Sequence, residues 1–198
     1  MTPWDQRAAR YLVKPLARAA VTPNQLTVLT MVLALLGAGL LGAGDPVLAN
    51  WGAAVFALSR FLDHFDGELA RLTGQATRLG YYLDYIAGVL AYAGLFIGIG
   101  IGLATGPLGA WALVCGGIGA TCAFIAMPLN LGRDSLQANN DAIGYPAFAG
   151  FELEDGIYLL VPATWCGLLP GFFVLAGASA SVYVAWTLYS YLRERMER

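Results

Sequence analysis

Charge is scarce in this chain. Lysine and arginine number 11 and aspartate and glutamate 13 among 198 residues, so charged side chains make up 12% of the whole. A soluble domain carries about twice that fraction, and a chain this poor in charge does not build a solvated surface. Cysteine is also sparse: Cys115, Cys122 and Cys166 are odd in number, separated and set in apolar sequence. They read as buried small hydrophobes, and no spacing among them indicates zinc or a disulfide framework. The polar start M-T-P-W-D-Q-R has no apolar core or small-residue cleavage site after it, so no removable signal peptide is expected.

What the chain has instead is apolar length. Hydrophobic residues account for 58% of it, and its mean hydropathy is +0.63. This is the composition of a polytopic helical membrane protein. Six apolar segments are predicted, at approximately 24–43, 48–72, 79–104, 108–130, 153–169 and 171–192. The breaks at Gly44-Asp45-Pro46, Thr73-Gly74, Gly106-Pro107 and Pro170-Gly171 carry ordinary turn chemistry. Ahead of them, Arg7, Arg10, Lys14 and Arg18 recur on one helical side, with Tyr11, Leu12 and Leu16 available to lipid. That pattern predicts an amphipathic helix lying on an anionic leaflet. The expected fold is thus an all-α integral membrane protein, with residues 1–22 as a cytoplasmic interfacial helix and 23–192 as a six-helix transmembrane domain.

The cations orient this arrangement. With both termini in the cytoplasm, cytoplasmic segments hold Arg7, Arg10, Lys14, Arg18, Arg71, Arg78, Arg133, Arg193, Arg195 and Arg198, and the outer loops hold none. The remaining cation, Arg60, falls inside the second segment. Such an asymmetry predicts six spans with both ends cytoplasmic, because a five-span chain would export the C-terminal arginines. The short chain and its Ala/Gly/Arg-rich composition point to a bacterial inner membrane.

Ionisable groups at membrane depth cost roughly 2.5–3.5 kcal/mol each on insertion scales, so they mark sites. Residues 63–84 read D-H-F-D-G-E-L-A-R-L-T-G-Q-A-T-R-L-G-Y-Y-L-D. Asp63 precedes Arg71 by about 12 Å at helical rise, and Asp84 follows Arg78 by about 9 Å. On antiparallel helices, Asp63, Asp66 and Asp84 therefore meet at similar depth. Three converging carboxylates repel one another unless a cation sits between them, and a hard divalent ion such as Mg²⁺ or Mn²⁺ prefers oxygen ligands. The competing arrangement is a salt-bridged cluster with Arg60, Arg71 and Arg78, which leaves the small residues at Gly67 and Gly80 unexplained.

The spacing resembles the signature of the CDP-alcohol phosphotransferase (CDP-alcohol phosphatidyltransferase) family, D-x2-D-G-x2-A-R-x8-G-x3-D-x3-D, matched here at Asp63, Asp66, Gly67, Ala70, Arg71, Gly80 and Asp84. Residues 22–27, T-P-N-Q-L-T, resemble the segment that enters the family's first helix. The resemblance implies metal-dependent transfer of a phosphatidyl or phosphoalcohol group from a CDP-linked donor to an alcohol acceptor, with release of CMP, in phospholipid biosynthesis. It implies that Asp63, Asp66 and Asp84 hold Mg²⁺ or Mn²⁺, and that Gly67, Ala70, Arg71 and Gly80 border the CMP moiety with Asn24 and Thr27 nearby. The donor is CDP-diacylglycerol or a CDP-linked small alcohol. The implied partners are an alcohol acceptor, membrane lipid and a second copy in a homodimer; no nucleic acid is expected.

The chain departs from the pattern at one place. The family's fourth aspartate, assigned there as general base and as a ligand to a second metal, falls at Gly88. Glu154 or Asp155, entering the fifth segment at nearly the same depth, is the candidate substitute as ligand or base. Alternatives are solvated helix-start acids at those positions, transfer without a dedicated base, or a catalytically silent relative that binds CDP-lipid or other proteins in the membrane. Arg133, the one cation of the long fourth loop, is expected to bind either an anionic acceptor group or a lipid phosphate. A small transporter would need further polar groups toward the outer leaflet, where the segments carry no charge.

Overall fold

The computed structural model describes residues 12–15, 17, 21–136, 147, 148 and 151–196, with the side chains of 134–136, 147, 148 and 151–155 outside that description. Most of the expected interfacial helix, within residues 1–22, lies outside the described residues.

Among the described residues, six α-helices follow one another: α1 Pro23–Gly42, α2 Pro46–Thr73, α3 Arg78–Gly102, α4 Ala110–Leu136, α5 Leu160–Trp165 and α6 Leu169–Met196. A two-residue antiparallel pairing, β1 Ala147–Phe148 with β2 Phe151–Glu152, and a 3-10 helix over Leu153–Leu159 lie between α4 and α5. Among the described residues, α1, α3, α6 and the Ala110–Arg133 part of α4 are long and apolar enough to cross a membrane. With 28 residues, α2 has the length to span, about 42 Å at helical rise, but its second half carries Arg60, Asp63, Asp66, Glu68 and Arg71. The segment expected as a continuous fifth helix is broken instead. Pro162 has no N–H to give the carbonyl of residue 158, and its ring crowds that carbonyl, so an α-helix starts only at Leu160.

The helix ends are set locally. Thr22 and Gln25 form a capping box ahead of α1, with Pro23 in its first turn. Asp45 caps α2 by accepting from the backbone N–H of Val47 and Leu48, each at 2.9 Å. Gly74 closes α2 in the left-handed region, φ 66°, and its N–H bonds the carbonyl of Ala70. Thr77 then caps α3 through the N–H of Gly80 at 3.0 Å.

Packing proceeds from α1, which lies against α2 and α3, through α3 on α4 and α4 on α6, while α5 touches α2 and α6. The core joins Ala34 and Leu41 to Ala53 and Phe56, and continues through Phe96 to Phe173. Glycines let the backbones approach. A Cβ on Gly98 would stand 2.2 Å from the carbonyl oxygen of Ala38, and one on Gly102 would stand 2.1 Å from that of Leu41. Gly100, on another side of α3, would meet the carbonyl of Ala112 at 2.8 Å. The G-I-G-I-G run thus serves α1 and α4 of the same chain.

Candidate metal and nucleotide site

At the end of the bundle where α1 begins, α2 ends and α3 begins, a second apolar cluster of Val13, Leu26, Phe65 and Leu69 seals the helix ends. The acidic residues lie beside it. Asp63 and Asp66 share one face of α2, being i,i+3 neighbours, and Asp84 comes from α3. One carboxylate oxygen from each lies within 4.8 Å of the other two. Asp66 is buried, Asp63 partly buried and Asp84 exposed.

Helix α1 supplies the hydroxyls. The capping box fixes its first turn, and Thr27, one turn further, donates to Asp66 Oδ2. Thr27 also stands 3.2 Å from the Pro23 carbonyl, but it has a single proton and the carboxylate is the closer acceptor. Thr30 divides its proton the other way, with 2.9 Å to the Thr27 carbonyl and 3.3 Å to Asp63 Oδ1. The other oxygen of Asp63, Oδ2, takes Arg60 Nη2 at 3.0 Å. Arg60 is buried in turn, with its guanidinium 5.1 Å from the ring centre of Tyr92 on α3.

The residues expected around a nucleotide gather at the same end. Asn24 and Gly80 are adjacent: a Cβ on Gly80 would lie 2.9 Å from Asn24 Oδ1, so glycine lets α3 start against α1. Among the described residues, Gly67 faces the Arg71 guanidinium, 3.6 Å from where its Cβ would be. Arg71 pairs with the buried Glu68 at 2.9 Å while most of its own side chain stays exposed. Ala70 is one turn from Gly67, its carbonyl closing α2.

Arg60 pairs with Asp63, and Arg71 pairs with Glu68 rather than with an aspartate. Oxygens on opposite sides of a hard divalent ion stand about 4–5 Å apart, and the three aspartates fit that spacing. Thr30 and Glu68 escaped the sequence reasoning. Thr30 continues the Asn24, Thr27 spacing by three, which was the available signal; Glu68 had none beyond its place between Gly67 and Ala70.

Two other expectations fare differently. The backbone of Glu154 and Asp155 belongs to the 3-10 helix, and their side chains lie outside the described residues. Arg133 is buried between α4 and α6, 2.9 Å from Glu194 and with its guanidinium 5.4 Å from the ring centre of Trp186. It clamps two helices, in place of the expected anionic acceptor or lipid phosphate. Tyr81 stacks edge-on with Tyr82 and Tyr85 at the start of α3.

Fold and site together define an integral membrane protein of bundled helices with an acidic centre at one end. The chain belongs to the CDP-alcohol phosphatidyltransferase family, whose pattern matches residues 20–191. It is 36% identical over 89 residues to an archaetidylinositol phosphate synthase of Pyrococcus horikoshii, covering 45% of this chain and 46% of that one. It is 40% identical over 88 residues to a bifunctional IPC transferase and DIPP synthase of Rubrobacter xylanophilus, covering 42% of this chain and 20% of that one. The chain thus spans less than half the length of these curated relatives. Its fold is that of a phosphatidylinositol phosphate synthase of Mycobacterium tuberculosis solved with CDP-DAG bound, with a TM-score of 0.71 at 18% identity over 93% of this chain and 94% of that one. A second structure of that synthase, in complex with manganese and citrate, gives a TM-score of 0.68 at 20% identity, over 93% of this chain and 88% of that one.

Proposed function

We propose that this protein transfers a phosphatidyl or phosphoalcohol group from a CDP-linked donor to an alcohol acceptor and releases CMP. The observation that carries this is the convergence of Asp63, Asp66 and Asp84 within 4.8 Å, beside Asn24, Thr27, Gly67, Ala70, Arg71 and Gly80. In this reading the aspartates hold Mg²⁺ or Mn²⁺, which neutralises the pyrophosphate and the charge developing on the leaving phosphate. Thr27 fixes one oxygen of Asp66 and Arg60 one oxygen of Asp63, so the remaining oxygens are oriented before any ligand arrives. Asn24 and Gly80 border the nucleotide, and the exposed part of Arg71 lies free to meet anionic oxygens. The relative with CDP-DAG bound supports a CDP-linked donor, and the manganese complex supports a divalent ion. Homodimerisation follows from the family resemblance alone.

We assign six spans with both termini and the acidic centre cytoplasmic, which suits one lipid and one water-soluble reactant. Activation of the acceptor falls to Glu154 or Asp155 in this reading, since residue 88 offers no side chain. The same glycine favours a second reading, a silent family member that binds CDP-lipid: among the described residues, nothing lies within 4 Å of where its Cβ would be. One assay separates them. Purified protein with Mg²⁺ or Mn²⁺, offered CDP-diacylglycerol and CDP-alcohols against a panel of acceptors, releases CMP if it is the transferase. Binding of CDP-diacylglycerol with no CMP from any pairing identifies the silent member.

A further inference from the structure

The chain has five tryptophans, and three of them stand at the end of the bundle away from the acidic centre. Trp51 lies in the second turn of α2, Trp111 opens α4 and Trp165 closes α5. They are 65%, 72% and 63% exposed, so all three rings point away from the core. Close packing puts them at one level. A Cβ on Gly52 would lie 2.8 Å from the Leu41 nitrogen, one on Gly102 2.1 Å from the Leu41 carbonyl oxygen, and one on Gly100 2.8 Å from that of Ala112. Gly52, Leu41, Gly102 and Ala112 therefore share a level to within about one helical turn. Trp51 and Trp111 are the chain neighbours of two of them. The Trp165 indole N–H donates to the Asn50 carbonyl at 3.3 Å, which ties the third ring to the first.

Residues 43–52, 102–112 and 163–171 make up this end, and their one charged side chain is Asp45, which caps α2. The end thus has no lysine or arginine to hold a lipid phosphate. An indole has an apolar body and a polar N–H, so it settles where acyl chains meet the ester and headgroup layer. Arg71 follows Trp51 by about 30 Å at helical rise, the thickness of a hydrocarbon core. A long arginine stem can follow the phosphates over a range of depths, whereas a rigid indole cannot.

We propose that Trp51, Trp111 and Trp165 anchor the bundle to the ester and headgroup layer of the leaflet away from the acidic centre. Bilayer thickness thereby sets how deep the centre lies below the opposite headgroups. This concerns the seating of the helices and stands whether or not the acidic centre is catalytic. Asp63 lies about 18 Å from Trp51 along α2. With the far end fixed, added thickness falls on the acidic side.

Two measurements test this. With Trp4 and Trp186 replaced by Phe, the three remaining indoles report alone. Lipids brominated near the ester end of the acyl chain are expected to quench them at least about twofold more than lipids brominated near its terminus. Nitroxides on Thr105→Cys or Gln75→Cys, with the native cysteines replaced, then report depth in nanodiscs of dimyristoyl- or dierucoyl-phosphatidylcholine. The label at Thr105 is expected to keep the same access to an aqueous nickel chelate in both lipids. The label at Gln75 loses access in the thicker bilayer. Trp51→Leu combined with Trp111→Leu makes the Thr105 label depend on thickness as well. Stronger quenching from the chain terminus, a Thr105 label that shifts in the parent, or a Gln75 label that does not, overturns the proposal. So does a Thr105 label that stays fixed in the inserted double variant. The parent measurements decide even where that variant does not insert.

Discussion

Asp84 reaches the acidic centre from α3 while Asp63 and Asp66 come from α2, so its removal takes away one ligand and keeps the two carboxylates of α2. Asp84→Asn is expected to lower Mn²⁺ affinity at least about tenfold and CMP release at least about a hundredfold, because one of three charged ligands is lost. Circular dichroism should stay at the parent value, since Asp84 is exposed. Thr27→Val differs in kind. It removes the donor to buried Asp66, a charge-assisted bond of about 1.5–3 kcal/mol, and should lower both thermal stability and metal affinity; metal affinity within twofold of the parent would show that Asp66 holds its position without it. At this scale the sequence was legible where chemistry imposes spacing. The aspartates were found because helical rise places them at one depth, and the T-P-N-Q-L-T segment through its resemblance to the family's entry into its first helix. Glu68 was not, because nothing in one sequence tells a buried acid from a solvated one. Arg133 was misjudged because its partner Glu194 lies on another helix, beyond any local pattern.

Helices α1 and α3 meet through glycine, and that contact makes a sharp prediction. Gly98→Leu forces a side chain into the carbonyl of Ala38, where even a Cβ would stand 2.2 Å away. Overpacking of this kind costs typically about 1–3 kcal/mol, and here the obstacle is backbone, which yields less than a side chain. Gly39→Ala is the control, since nothing lies within 4 Å of its Cβ position. Thermal unfolding in detergent should show a clear loss for Gly98→Leu and little change for Gly39→Ala; equal behaviour would mean that the helices cross elsewhere. The run also bounds what the sequence said about assembly. Glycines permissive for a dimer interface are occupied inside the chain, so they carry no weight for homodimerisation. Helix limits were legible to within a few residues wherever a Pro, Gly or capping residue stood at the boundary, as Pro23–Gly42 against 24–43 illustrates. They failed at 153–169, where apolar composition looks continuous but Pro162 divides a 3-10 helix from α5.

For the whole molecule, the distribution of cations and the position of the acidic centre make one joint claim. The turn from α2 to α3 lies beside the site, and the connection from α3 to α4 lies at the far end of the bundle. Arg71 and Arg78 flank the first, whereas the stretch from Leu103 to Gly109 has no charge. The rule that positive loops stay cytoplasmic then predicts that the site faces the cytoplasm. Gln75 and Thr105 are exposed at these two ends, and either position accepts a reporter cysteine once Cys115, Cys122 and Cys166 are replaced. In intact cells, a membrane-impermeant maleimide should label the Thr105→Cys protein and spare the Gln75→Cys protein until the membrane is opened. The reverse pattern would put Asp63, Asp66 and Asp84 outside, away from a cytoplasmic supply of CDP-linked donor. Labelling of both in intact cells would mean that the chain inserts in two orientations. The expected single orientation follows because Arg71, Arg78, Arg133, Arg193 and Arg195 lie at one end of the bundle, so turning it over would carry all five across the membrane.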